Sequence, residues 1–300
     1  MSTTDTNTVE LVLTAKQRHI GEHTVDRVLP AIQRRHIGPY IFLDHLGPRE
    51  QRPGDAFGVA AHPHIGLSTL TYLFAGELVH HDSLGTTQTI HPGAVNWMTA
   101  GRGIAHSERV PPEFTGVMHS LQLWVGLTEQ FEETEPSFQH VDGPDLPVVS
   151  LPGAVGRLLA GAAYGQQSPL HVYSPQFCVD MRLARGARIP LPDDHAERAA
   201  YIVEGRLQVD GVAYEPRHML VFASGGAPHI EALEDTTVLL LGGAPIDGPH
   251  MWWNFVSSRK DRIEQAKRDW AEGRFILPPD DDQEFIPLPE ERAPRPEPMS

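Results

Sequence analysis

Cysteine is almost missing from this 300-residue chain, which carries only Cys178. That excludes an internal disulfide and any zinc or iron–sulfur site built on several thiolates. Cys178 itself reads as a small buried strand residue. Basic charge is also short. Lysine and arginine number 24 against 39 aspartates and glutamates, for a formal net charge of −15. Phosphate recognition wants a basic surface, so direct nucleic-acid binding is not expected. Part of the acidic excess is local, in Asp280, Asp281, Asp282, Glu284, Glu290 and Glu291. No run approaches the roughly eighteen apolar residues of a membrane span. The start, Met1-Ser2-Thr3-Thr4-Asp5-Thr6-Asn7, has neither the basic beginning nor the apolar core of a secretion signal. The expected compartment is therefore the cytoplasm.

Helical periodicity is scarce too, while Gly and Pro, 27 of each, are plentiful. Short β-forming runs at 9–13, 40–43, 68–74, 78–81, 87–90, 95–98 and 119–125 are separated by Gly, Pro and Asp turns, a pattern of sandwiches and barrels. Residues 128–163 are richer in Pro, Gly and acids, and part of this stretch reads as an inter-domain connector with some strand pairing. An internal echo follows it. Tyr72-Leu73-Phe74-Ala75-Gly76-Glu77-Leu78 matches Tyr201-Ile202-Val203-Glu204-Gly205-Arg206-Leu207 in spacing and type, and His106-Ser107-Glu108 falls on His229-Ile230-Glu231. Two copies of one barrel account for this. The expected architecture is all-β, with antiparallel barrels over residues 10–140 and 150–245. A third segment, 250–300, holds an aromatic stretch, a helix and a Pro-rich acidic tail expected to be flexible. The helix should run from Arg259 to Glu272, with Ser258 as N-cap, Gly273 as stop, and Ile263, Ala266 and Trp270 docked on a barrel of the same chain.

The most chemically pointed feature is His62-Pro63-His64, followed by His106-Ser107-Glu108. Residues two apart share one face of a strand, so each motif presents two side chains together. If the strands adjoin, three imidazoles and a carboxylate converge as the ligand set of a mononuclear metal site. Such donors suit iron, nickel, cobalt, copper or zinc better than calcium or magnesium. Four protein ligands on a six-coordinate ion leave positions open for catalysis. A lone strand histidine is more often packed than ligating, and 17 histidines make chance pairs expected. Two paired motifs bracketed by glycines and β-formers tip the balance toward metal.

The surrounding runs Gly58-Val59-Ala60-Ala61-His62-Pro63-His64-Ile65-Gly66 and Trp97-Met98-Thr99-Ala100-Gly101-Arg102-Gly103-Ile104-Ala105-His106-Ser107-Glu108 resemble the pirin family of the cupin superfamily. So do Gly38-Pro39-Tyr40-Ile41-Phe42-Leu43-Asp44-His45-Leu46-Gly47-Pro48 and Met118-His119-Ser120-Leu121-Gln122-Leu123-Trp124-Val125. The likeness is dense from Arg35 to Leu127 and looser to Ile276. It implies a bicupin fold with iron, as Fe(II), in the first barrel; Ni, Co, Mn, Cu or Zn remain alternatives. Its metal ligands carry over onto His62, His64, His106 and Glu108. For several bacterial members it also implies a quercetin 2,3-dioxygenase activity, with a flavonol-like aromatic substrate and O2. Ser68 stands where cupins usually place a further glutamate.

Glu108 is expected to double as general base when it leaves the ion. Secondary candidates are His119 and Gln122 on a strand near the site, and His80, His81 or Asp82 on a turn near its mouth. Arg102 is divided evenly between orienting an anionic substrate and a salt bridge. Trp97 and Met98 read as core. In the second copy Leu191 and Asp193 replace the imidazole pair, so Asp193, His195, His229 and Glu231 are expected to leave that barrel free of metal. A non-catalytic, redox-responsive iron-binding regulator is the competing functional class, distinguishable by a sealed rather than an open metal centre. Sugar isomerase or epimerase chemistry, known among other cupins, finds no matching substrate residues.

Overall fold

The computed structural model describes residues 8–20, 23–52 and 58–290. Met1–Asn7 and the last ten residues of the acidic tail lie outside the described residues. The chain is a bicupin of two antiparallel β-barrels, each closed by a large and a small sheet. In the first barrel the large sheet runs Ser137–Val141, Val95–Thr99, Leu67–Ala75, Gly116–Gly126, Tyr40–Gln51, His23–Leu29 and Lys16–Ile20. The small sheet runs Gly58–His64, Ile104–Arg109, Leu78–Asp82 and Thr87–Ile90. The second barrel repeats the plan, its large sheet centred on Glu197–Glu204, Thr236–Gly243, Gln176–Leu183 and Ala154–Ala163. Each strand expected from the turn pattern forms.

One pairing differs from the sequence reading. The first strand, Val9–Thr14, does form, but it pairs with His218–Phe222 at the edge of the second barrel's large sheet. Within 128–163 the expected strand pairing is supplied by Ala154–Ala163, which runs along Gln176–Leu183 in the second barrel. Non-local pairing of this kind leaves no mark in local composition.

The two large sheets face each other across one apolar core. Leu43, Tyr72, Leu121 and Leu123 of the first barrel pack there with Leu159, Cys178, Tyr201, Leu239 and Leu241 of the second. The large sheets are thus covered on both faces. Along Gly116–Gly126, Leu121 and Leu123 enter this shared core while Gln122 and Trp124 line the first barrel's interior, the alternation a pleat demands. The tyrosines that head the two echoed segments make equivalent bonds across the interface. Tyr72 stands opposite Leu121 and donates its hydroxyl to Asp180 Oδ2 at 2.8 Å. Tyr201 stands opposite Leu239, and its hydroxyl meets His45 Nδ1 at 2.9 Å.

Asp180 is 2% exposed, and its Oδ1 has no hydrogen-bond partner. Burial pushes its carboxyl above 3.8, opposed by the Tyr72 bond and by Arg182 and Arg157. A carboxyl raised on folding binds more protons in the native state. It therefore removes stability as the pH climbs from the unfolded value through the folded one. Asp180→Asn should gain stability relative to the wild type over that climb, with the difference level at higher pH. Denaturant midpoints of both proteins from acid to neutral pH check this; a difference independent of pH would contradict it.

The helix spans Lys260–Ala271 and ends before Gly273, whose φ of +68° suits glycine. Ile263, Ala266 and Trp270 are its buried face and pack on Ile65, Ala105 and Phe255, so the stripe does dock on the first barrel. The expected N-cap is wrong by one residue. Arg259 holds the cap position without a side-chain bond, while the Ser258 hydroxyl donates to Glu132 at 2.6 Å. Among the described residues no helix is long and apolar enough to cross a membrane.

Candidate metal centre

The centre forms where Gly58–His64 runs antiparallel to Ile104–Arg109, with His62 opposite His106 and His64 opposite Ile104. His62 precedes Pro63, whose ring holds the preceding residue extended, so the two imidazoles of the motif emerge on one face. The chain then turns at Gly66, where φ is +68° and a Cβ would stand 1.9 Å from the Val256 carbonyl oxygen. Only glycine allows that approach, which presses the floor of the site against the segment before the helix.

Ring centroids lie 5.0 Å apart for His62 and His64, 4.4 Å for His62 and His106, and 5.1 Å for His64 and His106. One ring nitrogen from each falls within 4.8 Å of the other two. All three residues are buried. Desolvation drives their pKa values down, to about 4 for His62 against the opposing Ala60 bond, and well below normal for His64 and His106. They are neutral near pH 7, the form that ligates metal. His62 Nδ1–H donates to the Ala60 carbonyl at 2.8 Å, leaving Nε2 as its lone pair. His64 Nδ1 and His106 Nε2 are buried without any protein partner. Buried polar atoms are rarely left so, and these two orphaned nitrogens beside the Nε2 lone pair of His62 fit a borderline transition-metal ion.

Glu108 lines the same cavity but lies outside that three-nitrogen group. Glu108 faces Val59 while His106 faces His62, so the facing strand carries one extra residue, a bulge between Val59 and His62. The Thr71 hydroxyl lies 2.9 Å from both Glu108 Oε1 and Gln122 Oε1 and can donate its one hydrogen to either. Burial raises the Glu108 carboxyl above its ordinary value, partly offset by His80 and the Thr71 bond.

Several secondary candidates land elsewhere. Gln122 faces the cavity, but His119, an odd number of residues away, turns to the shared core and bonds His45 at 2.7 Å. Ser68 likewise points away from the cavity and bonds Thr99 at 3.0 Å, so Thr71 is the nearby side chain of that strand that reaches the site. His80 and Asp82 are buried on a strand behind His106 rather than on a turn at the mouth; His81 points outward to Thr87. Arg102 pairs with Glu135. Trp97 and Met98 are core, each 1% exposed. In the second barrel Leu191 is buried among apolar neighbours, and Pro190 rather than Leu191 faces His229. His195 bonds the Ala162 carbonyl and His229 is exposed.

A cavity of about 460 Å³ opens over the three histidines, within the usual range for small-ligand sites. Phe42 and Trp124 stack in its wall at 4.0 Å and 11°. Arg27 lies 4.4 Å over Phe42 and makes two 2.7 Å bonds to Asp44. Met251, Trp253, Asn254 and Ile286 of the carboxy-terminal segment also line the cavity. Alternation from Gln122 would have found Trp124; nothing local to residues 251–286 announces their place at the site.

Among known proteins, the pirin family model matches residues 22–125, and that of the pirin C-terminal cupin domain matches 178–276. A pirin-like protein of Caulobacter vibrioides is 50% identical over 287 residues, covering 94% of this chain and all of that one. The crystal structure of quercetin 2,3-dioxygenase from Acinetobacter baumannii superimposes with a TM-score of 0.87 at 35% identity, covering 97% of both chains. The bacterial pirin YhhW of Escherichia coli, solved in complex with nickel(II), shares the fold at a TM-score of 0.62 and 20% identity, over 79% of this chain and 99% of that one.

Proposed function

The chain belongs to the pirin family, and on that premise we propose that it is a mononuclear metal-dependent dioxygenase that cleaves flavonol-like substrates such as quercetin with O2. The observation that carries the reading is the cavity of about 460 Å³ that opens directly over the three histidines between aromatic walls. A sealed centre would have suited the non-catalytic regulator instead.

His62, His64 and His106 would hold the ion, with Glu108 as the fourth ligand. Fe(II) is the first candidate, and Ni, Co, Mn, Cu or Zn the alternatives. When bound, such an ion would supply Lewis acidity toward an enol oxygen and, for a redox-active metal, electron exchange with O2. Every other role falls to the chain. The Phe42–Trp124 stack gives the cavity an aromatic wall for a fused ring to pack on, and Arg27, lying over Phe42 and paired with Asp44, backs that wall. Glu108 would take the proton from the substrate's 3-hydroxyl. Burial raises its carboxyl toward the range where a general base works, and Thr71 holds the oxygen in place. The apolar wall excludes water from the deprotonated substrate. The compartment proposed is the cytoplasm.

Oxygen uptake with a panel of flavonols tests this. Metal-replete wild type should consume oxygen in proportion to substrate, lose the activity on chelation and regain it with a divalent first-row ion. Glu108→Gln should lower turnover about 100-fold or more. His62→Ala controls for flavonol autoxidation. Wild type consuming no more oxygen than His62→Ala would favour the redox-responsive regulator.

A further inference from the structure

Behind His106 runs a second line of polar side chains. Leu78–Asp82 pairs with Ile104–Arg109 on the side away from His62, setting Asp82 opposite His106 and His80 opposite Glu108. His80 Nδ1 lies 3.4 Å from His106 Nδ1, and His80 Nε2 lies 3.1 Å from Asp82 Oδ2. Both residues are buried, and the His80 ring is pinned against Phe138 with centroids 4.5 Å apart. The other Asp82 oxygen, Oδ1, accepts the main-chain N–H groups of Leu84 and Thr86 at 2.8 and 3.1 Å.

We propose that Asp82 and His80 form a relay that fixes the tautomer of His106 and thereby sets the affinity of the three-histidine centre for its ion. The relay rests on the metal reading above, and its logic is donor counting. An ionised carboxylate only accepts, so the hydrogen between Asp82 and His80 sits on His80 Nε2. A neutral imidazole carries one N–H, which leaves His80 Nδ1 as a lone pair. The facing atom, His106 Nδ1, must then carry the hydrogen of that contact. His106 Nε2 is left bare, and it is the nitrogen for which the protein provides no partner. Each assignment forces the next, and the chain ends in a lone pair aimed at the site. Asp82 and His80 are positioning residues: neither touches the ion or a substrate.

Asp82→Asn tests the relay while sparing the turn. The amide oxygen can keep the Leu84 and Thr86 bonds, so the new NH2 group replaces Oδ2 and donates to His80 Nε2. Every hydrogen in the line then reverses, and His106 Nε2 becomes protonated and unavailable. Long-range nitrogen–proton NMR of histidine-labelled, metal-free protein reads which ring nitrogens carry protons. Competition of cobalt(II) against a chelator reads the affinity. The wild type should show a bare Nε2 on His106 and a protonated Nε2 on His80. Asp82→Asn should exchange these and bind cobalt about 10–100-fold more weakly, with the metal-free melting temperature unchanged. Unchanged tautomers with unchanged affinity overturn the relay. Weaker binding with a lower metal-free melting temperature and unchanged tautomers also overturns it, since Asp82 then acts only as the cap of its turn. A wild type that takes up no cobalt overturns the metal reading instead, and the nitrogen spectra still decide the relay.

Discussion

His64→Ala and His106→Ala should each weaken binding of a divalent first-row ion by more than about 100-fold, beyond the usual cost of losing an outer partner. His64 is 1% exposed and supplies one of three converging nitrogens, so truncation leaves two nitrogen donors and a cavity in the buried site. The same loss should appear in thermal stability. An ion at about 100 times its dissociation constant stabilises the native state by about 2.7 kcal/mol. Wild type should gain that increment on loading, whereas the two variants should melt alike with and without metal. Equilibrium dialysis with metal analysis checks the first effect, and paired melting curves check the second. Full metal retention by His64→Ala would remove the basis of the site.

Leu121→Ala should destabilise the fold by about 2–5 kcal/mol, because its side chain is fully buried and the cavity left behind cannot close. The more telling expectation is where the loss is felt. Leu121 belongs to the first barrel, but it packs in the core shared with Tyr201 and Leu239 of the second. Val9–Thr14 adds a covalent tie, since it precedes the first barrel and pairs in the second. The barrels should therefore unfold in one transition, and the loss should reach both. Hydrogen exchange at Leu239–Leu241 should accelerate along with exchange at Leu121–Val125. Two separate transitions, with the second unmoved by Leu121→Ala, would show that the barrels are energetically independent.

How far the sequence led depends on whether a feature is local. His62 and His64 share a face because they are two apart on a strand, and the echoed tyrosines fall on equivalent rows because the repeat preserves register. Both could be read directly. His119 differs for a local reason: it lies an odd number of residues from Gln122, on the sheet face turned to the other barrel. Ser258 looked like a cap because serine favours that position, yet the buried Glu132 claims its hydroxyl. Glu108 shows a subtler limit. The extra residue of a bulge lies in the facing strand between Val59 and His62, so Glu108 keeps its face but loses the regular pairing that His106 has, and bulges carry no residue signature here. The crossover of Val9–Thr14 and the part of the cavity wall from residues 251–286 depend on tertiary pairing, which no window of sequence contains. The Asp82–His80 line needed atomic distances to be seen.

The most direct test is an anomalous difference map from crystals of protein loaded anaerobically with cobalt(II), recorded at the metal's absorption edge. One dominant peak per chain is expected, within bonding distance of nitrogen atoms of His62, His64 and His106, with none in the second barrel near His229. A dominant peak anywhere else, or none at the three histidines, would contradict the metal centre on which the proposed chemistry depends.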